Sequence, residues 1–280
     1  MIIAVLVVFG LCLGSFANAL VWRVHEQAQE TDKKKPNQKR LKDLSISQGR
    51  SMCPHCGHSL GAADLIPVFS WTLLGGKCRY CHKSISWQYP LVEVATAAVF
   101  VGSYIWWPKS FDTAQIIIFV LWLALITGFM ALITYDVRWQ LLPNRILYPL
   151  GAVAGLLALV NVASAGDPLK ALLDTALAVL IGGGIFYALF QLSDGKWIGG
   201  GDVRLGWLLG LVVGTPAKSF LFIFLAAFLG SFVSLPLLAS NKLKRTSTIP
   251  FGPFLIVGAI IAYLFGTDIL HWYRDTFINL

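Results

Sequence analysis

The chain has 280 residues, of which 56% are hydrophobic and only 13% charged. A soluble domain carries about 25% charged residues, so this composition excludes a soluble protein with a large core and indicates a multi-spanning membrane protein. The net charge of +8 does not indicate nucleic acid, because the basic residues are confined to particular loops, as membrane orientation requires.

Eight apolar stretches are long enough to consider as spans, near 2–22, 91–107, 113–135, 146–165, 170–192, 203–215, 219–240 and 250–270. The expectation is therefore an all-α polytopic membrane protein of about eight helices. The first stretch is not a secretory signal: it has no basic residue ahead of its apolar run, and that run is long enough to cross. With the amino terminus outside, the segments 23–90, 136–145, 193–204 and 241–249 fall inside and hold 18 of the 22 lysines and arginines. That bias sets the orientation.

Gly14-Ser15 in the first stretch is small enough for close helix contact, and Cys12 reads as a small apolar core residue. Residues 25–50 are polar and basic without apolar periodicity, and read as a flexible cytosolic segment. Two Cys-x-x-Cys pairs follow, Cys53/Cys56 and Cys78/Cys81, separated by 21 residues. Each presents two thiolates, and together they complete a tetrahedral zinc site. Disulfides are the competing reading, disfavoured on the side of the membrane where thiols stay reduced. Between the pairs, residues 64–71 are apolar enough to lie on the membrane surface. Tyr89-Pro90 opens the second stretch. Glu93 there suits a helix start, as an acid near the positive end, or a functional role.

The third stretch runs uncharged from Ile116 to Tyr135 and stops at Asp136, placed on a tight turn before Pro143 restarts a helix. Gly182-Gly183-Gly184 in the fifth is a packing face. The sixth is short: 14 residues from Val203 to Pro216 rise about 21 Å, against a hydrocarbon core of about 30 Å. Just before it stands Gly199-Gly200-Gly201-Asp202, where the glycines suggest an unusual turn or a close backbone approach. An aspartate at bilayer depth costs roughly 2.5–3.5 kcal/mol and needs compensation. The positive-inside count puts Asp136 and Asp202 on the same, cytosolic side. Two acids at helix ends are the plain reading; a catalytic aspartate pair is the functional one. A membrane cation or proton transporter could also use two such acids, but has no need of the cysteine loop. An adaptor without catalysis could keep that loop, but has no need of both acids.

In order along the chain, Gly14-Ser15-Phe16-Ala17-Asn18, Cys53-Pro54-x-Cys56, Gly76-Lys77-Cys78-Arg79-x-Cys81, Tyr89-Pro90-Leu91-Val92-Glu93, Asp136 with Leu141-Leu142-Pro143, Gly199-Gly200-Gly201-Asp202 and Pro250-Phe251-Gly252-Pro253-Phe254 resemble the type IV prepilin peptidases, membrane aspartic proteases of the Gly-x-Gly-Asp class. The chain departs from the commonest form in places: Asn144 stands where an aspartate is usual and Arg204 where a lysine is, the usual acid after Gly195-Lys196 is missing from a loop one residue short, and Ala62-Ala63 stands where aromatic residues are common.

The resemblance implies an endopeptidase of the bacterial cytoplasmic membrane with Asp136 and Asp202 catalytic. Its partners are prepilin or pseudopilin precursors and membrane lipid. It cuts the basic leader after a glycine at the cytosolic face. The resemblance also implies methylation of the new amino terminus from S-adenosylmethionine. Residues 1–90 then form the first helix with the zinc-binding methyltransferase region, and residues 91–280 a seven-helix peptidase domain. Two neighbouring carboxylates share a proton and titrate as a unit, so one can activate water while the other protonates the scissile carbonyl.

Overall fold

The computed structural model describes residues 1–46, 49–240 and 249–277. Lys242, Lys244 and Arg245 of the last basic inside segment lie outside these residues. The named elements are all helical: α1 (Ile2–Thr31), α2 (Gln38–Asp43), a 3-10 turn (Ala62–Leu65), α3 (Phe69–Leu73), α4 (Gln88–Ile105), α5 (Thr113–Trp139), α6 (Asn144–Ala163), α7 (Pro168–Leu192), α8 (Gly200–Val213), α9 (Pro216–Ala239) and α10 (Gly252–Phe277). Six of them, α1, α5, α6, α7, α9 and α10, are long and apolar enough to cross a membrane. The helices α4 and α8 occupy the other two expected positions, with 18 and 14 residues. The all-helical expectation holds, while six rather than eight helices meet the length and composition of a span.

The chain forms two compact units. The first comprises Met1–Ile105 and Ile126–Thr134, the second Trp106–Leu125 and Tyr135–Leu280.

In the first unit α1 packs along α4. Small residues permit the approach: a Cβ on Gly10 would lie 2.5 Å from the Cα of Ala97, and one on Gly14 2.7 Å from the Cα of Glu93. Without a hydrophobic drive between helices in lipid, such backbone contact is what holds them. The buried face of α1 carries Gly10, Gly14, Ala17, Asn18 and Val21. Cys12 points away from it and is exposed, so it is not the core residue expected from its setting.

Residues 25–50 also differ from expectation. Helix α1 continues to Thr31, and α2 follows with Asn37 as its N-cap, accepting from the N–H groups of Lys39 and Arg40. Two buried charges impose this order. Arg23 donates to the carbonyls of Ser45, Ile46 and Gly49, while Glu30 accepts from Lys33 and from the N–H of Asn37. Polar composition concealed an ordered segment whose structure depends on these two side chains.

In the second unit α8 is the central helix, packed by α6, α7 and α10, and α9 packs on α7 and α10. Gly206 and Gly210 of α8 meet Gly182 and the Ala178–Val179 backbone of α7, and Trp207 lies against Gly183. The glycine face expected on α7 is therefore real for Gly182 and Gly183. Gly184 turns away from it. Ser219 adds a polar tie, donating to the Ala178 carbonyl at 2.9 Å. A helix as short as α8 sits at the middle of the unit because its neighbours, not lipid, cover it.

Candidate active site and metal centre

Asp136 lies in the last turn of α5, which runs one turn beyond the expected span and ends at Trp139. It is thus helical, not on the turn itself. Gln140 closes the helix in the left-handed conformation, φ 54°, with its N–H on the Asp136 carbonyl. The Asp136 side chain is buried, and its Oδ2 has no hydrogen-bond partner among the described residues. Gly252, at the start of α10, lies directly against it: a Cβ there would sit 2.6 Å from Oδ2.

Asp202 occupies the third position of α8, behind the N-cap Gly199. Gly200 and Gly201 are helical, so the glycine run makes no unusual turn. What it permits is closeness: a Cβ on Gly201 would meet Leu142 at 3.1 Å. The Asp202 carboxylate folds back to the Gly199 N–H, half of a capping box at the positive end of a helix. The plain reading of Asp202 as a helix-start acid is therefore correct as far as it goes. The same carboxylate also lies within electrostatic range of Asp136. Asp136 of α5 and Asp202 of α8 are thus near enough for their charges to interact.

Two further residues complete this end of the unit. Leu142 packs against both Gly201 and Gly252. Arg204 donates from Nη1 to Asn144 Oδ1, joining the segment after Asp136 to the helix that carries Asp202. Pairing across 60 residues left no periodic signal in the sequence, although both positions stood out as departures from the commonest family form.

The four cysteines Cys53, Cys56, Cys78 and Cys81 converge, with all Sγ atoms within 4.8 Å of one another. The Cys53 and Cys81 sulfurs are 3.9 Å apart. A tetrahedron with Zn–S bonds of about 2.3 Å has edges of about 3.8 Å, so the set fits one such ion. All are free thiols, which fits a metal site and not the disulfide reading.

The two halves repeat one local fold. Cys53 N–H donates to the His58 carbonyl and Gly57 N–H to the Cys53 carbonyl; likewise Cys78 to Lys83 and His82 to Cys78. The fourth residue after the first cysteine has positive φ in both, 70° at Gly57 and 58° at His82. Burial pushes the Cys53 thiol up to about 11. Cys78 is buried too, but the N–H groups of Cys81 and Tyr80 outweigh that and hold it down at about 7. His58 is not a ligand; its ring stacks on Tyr80 with centroids 3.7 Å apart. Asp64 binds Arg79 at 2.7 Å and the Tyr80 hydroxyl at 3.0 Å, and the Arg79 guanidinium holds its carboxyl below the usual carboxylate range.

Glu93 does not start its helix. It is buried one and a half turns into α4, beside Gly14 and Ser15 of α1, and its Oε2 accepts the Val68 N–H at 2.7 Å. Val68 has φ 60° and ψ −48°, a conformation that strains a β-branched residue by about 1–3 kcal/mol.

A cavity of about 380 Å³ lies among Lys109, Ser110, Asp112, Gln115, Asn161, Ser164 and Ala165. Gln115 and Asp136 are at opposite ends of α5, about 30 Å apart at 1.5 Å per residue. The cavity is therefore remote from Asp136.

Two family models match the chain: the bacterial peptidase A24 N-terminal domain over residues 8–107 and the type IV leader peptidase family over residues 117–235. The chain is 30% identical over 277 residues to the prepilin leader peptidase/N-methyltransferase of Bacillus subtilis (strain 168), covering 97% of each. It is 32% identical to the enzyme of that name from Pseudomonas aeruginosa, over 95% of this chain and 91% of the relative. It is 33% identical to the type 4 prepilin-like proteins leader peptide-processing enzyme of Escherichia coli O78:H11, over 90% and 89%. No solved structure matches the chain. With such similarity along nearly its whole length, the chain belongs to the type IV leader peptidase family.

Proposed function

We propose that Asp136 and Asp202 are the catalytic pair of a membrane endopeptidase that removes the basic leader of prepilins or pseudopilins after a glycine. The observation that carries this is the placement of two carboxylates from separate helices within electrostatic range, one with a buried Oδ2 that has no hydrogen-bond partner among the described residues. The ionised member takes a proton from water as the water attacks the scissile carbonyl. The protonated member donates to the carbonyl oxygen, and the amine leaves as the tetrahedral species collapses. Leu142 packs against Gly201 and Gly252, Gly252 lies against Asp136, and Gly199 lies beside Asp202. Similarity to prepilin leader peptidases along nearly the whole chain favours hydrolysis over ion transport.

The lysine and arginine bias supports a cytosolic location for this end, in a bacterial cytoplasmic membrane, where a basic leader would remain. The four thiolates suit zinc as a structural ion holding residues 53–81 together. S-adenosylmethionine would supply a methyl group for the new amino terminus. That terminus is free only after cleavage, so cutting precedes methylation.

The test uses full-length protein in membranes with a precursor carrying a basic leader, a glycine and an apolar helix. Mass spectrometry of the substrate should show cleavage, then methylation of the cleaved form alone. Asp136→Asn and Asp202→Asn should each abolish cleavage while the protein still inserts. Full cleavage by either variant removes that acid from the mechanism, and a methylated uncut precursor refutes the order.

A further inference from the structure

Helix α3 exposes large apolar side chains in a segment that is otherwise polar: Phe69 is 59% exposed and Leu73 70%, with Leu65 and Ile66 of the preceding turn also exposed. Trp71 of α3 packs on Trp87 with ring centroids 4.1 Å apart. Trp87 directly precedes α4, and it and Leu91 are 73% and 70% exposed. The apolar patch of α3 is thus continuous with the outer face of α4, whose Val94 is exposed as well. Between them runs the Glu93–Val68 bond. Glu93 lies five residues into α4, so Val68 is held about 7.5 Å along that helix from its start. An interfacial helix sinks its apolar face about 5–10 Å into the boundary between headgroups and acyl chains, a depth that side chains as long as Phe69 and Leu73 reach from a helix lying at that boundary.

We propose that α3 is an interfacial anchor: Phe69 and Leu73 insert into the headgroup–acyl boundary of the bilayer, and Glu93 clamps Val68 to fix their depth. The inference depends on α4 entering the membrane and not on the peptidase chemistry. The clamp explains two otherwise unconnected observations. A buried carboxylate in α4 has a backbone N–H as its partner, and a valine is kept in a left-handed conformation. That conformation turns the chain sharply after Pro67, so that α3 leaves with Phe69 outward. Because α3 lies between the two cysteine pairs, the anchor seats the whole metal module against lipid.

The test is photo-crosslinking of the full chain in vesicles of phosphatidylethanolamine and phosphatidylglycerol. Benzoylphenylalanine replaces Phe69, Leu73 or, as control, the exposed His55. Lipid adducts measured by mass spectrometry should be several-fold more abundant at 69 and 73 than at 55. Adducts at 69 should fall several-fold with Glu93→Ala, and persist with Glu93→Gln, whose amide oxygen still accepts the Val68 N–H. Val68→Pro, which removes that donor and forbids the positive φ, should match Glu93→Ala, and retained metal content shows that the module is folded. Equal lipid adducts at 69, 73 and 55, or crosslinks at 69 and 73 to protein instead of lipid, would overturn the anchor. Unchanged adducts in Val68→Pro would overturn the clamp.

Discussion

Arg204 donates a hydrogen bond to Asn144, and this contact joins the two segments that carry the candidate acids. Arg204 is two residues beyond Asp202, and Asn144 follows the Leu141-Leu142-Pro143 run after Asp136. Both residues depart from the commonest form of the family, and they depart together. The usual aspartate and lysine would make an ion pair here; this chain keeps a cation and replaces its partner with a neutral acceptor. Arg204→Ala should lower the cleavage rate about three- to tenfold, matching roughly 1 kcal/mol for an exposed bond to a charged group. Asn144→Asp should retain activity and restore it to Arg204→Lys. Cleavage kinetics of the three variants check this, and an unaffected Arg204→Ala would make the contact incidental.

Gly252 offers a way to disturb Asp136 without altering any charge. A Cβ would lie 2.6 Å from Asp136 Oδ2, and since that oxygen ends a flexible side chain, the carboxylate moves while the helix stays. Gly252→Ala should therefore cost about tenfold or more in cleavage rate, about 1.4 kcal/mol of barrier, with normal insertion. Gly151→Ala is the comparison: nothing lies within 4 Å of its Cβ position in α6. It should leave cleavage unchanged and raise stability by roughly 0.5–1 kcal/mol, as alanine does in a helix interior. Thermal unfolding and cleavage assays on both variants separate the two effects.

Purified, reduced protein should contain about one zinc per chain, the stoichiometry of a four-thiolate site. Cys53→Ser or Cys78→Ser should lower metal content and stability more than it alters where the substrate is cut. Elemental analysis that finds no zinc in freshly prepared protein would sink the assignment.

The two halves of the metal module make a matched pair of expectations. His82 has φ 58° where the first half has Gly57. His82→Gly should stabilise the module by about 0.5–1 kcal/mol, whereas Gly57→Ala should destabilise it by a similar amount or more. Resistance of residues 53–81 to proteolysis is the measure. Identical behaviour of the two variants would show that the left-handed position does not limit the module.

The aspartates, cysteines and helices were legible because each leaves a local signal. An acid beside three glycines at the end of an apolar run is costly enough to mark itself, and paired cysteines at short spacing have few uses. The groups that arrange those residues were not legible. Leu142 meets Gly201 and Gly252 through tertiary packing, and Glu93 finds Val68 25 residues earlier. Glu93 reads as a helix-start acid because Tyr89-Pro90 opens the apolar stretch and puts Glu93 in its first turn; the helix begins at Gln88, which carries Glu93 beyond that turn. Residues 25–50 read as flexible for a related reason: within residues 25–46, contacts are made by Arg23 and Glu30, whose carbonyl and N–H partners carry no side-chain signature.

The repeated turn at the two cysteine pairs has a consequence for how an ion would come and go. Each half is closed by its own backbone hydrogen bonds, so each pair of thiols is set by its own turn. An ion held there would be gripped by two separately closed turns, so loosening one turn would leave the two thiolates of the other in place.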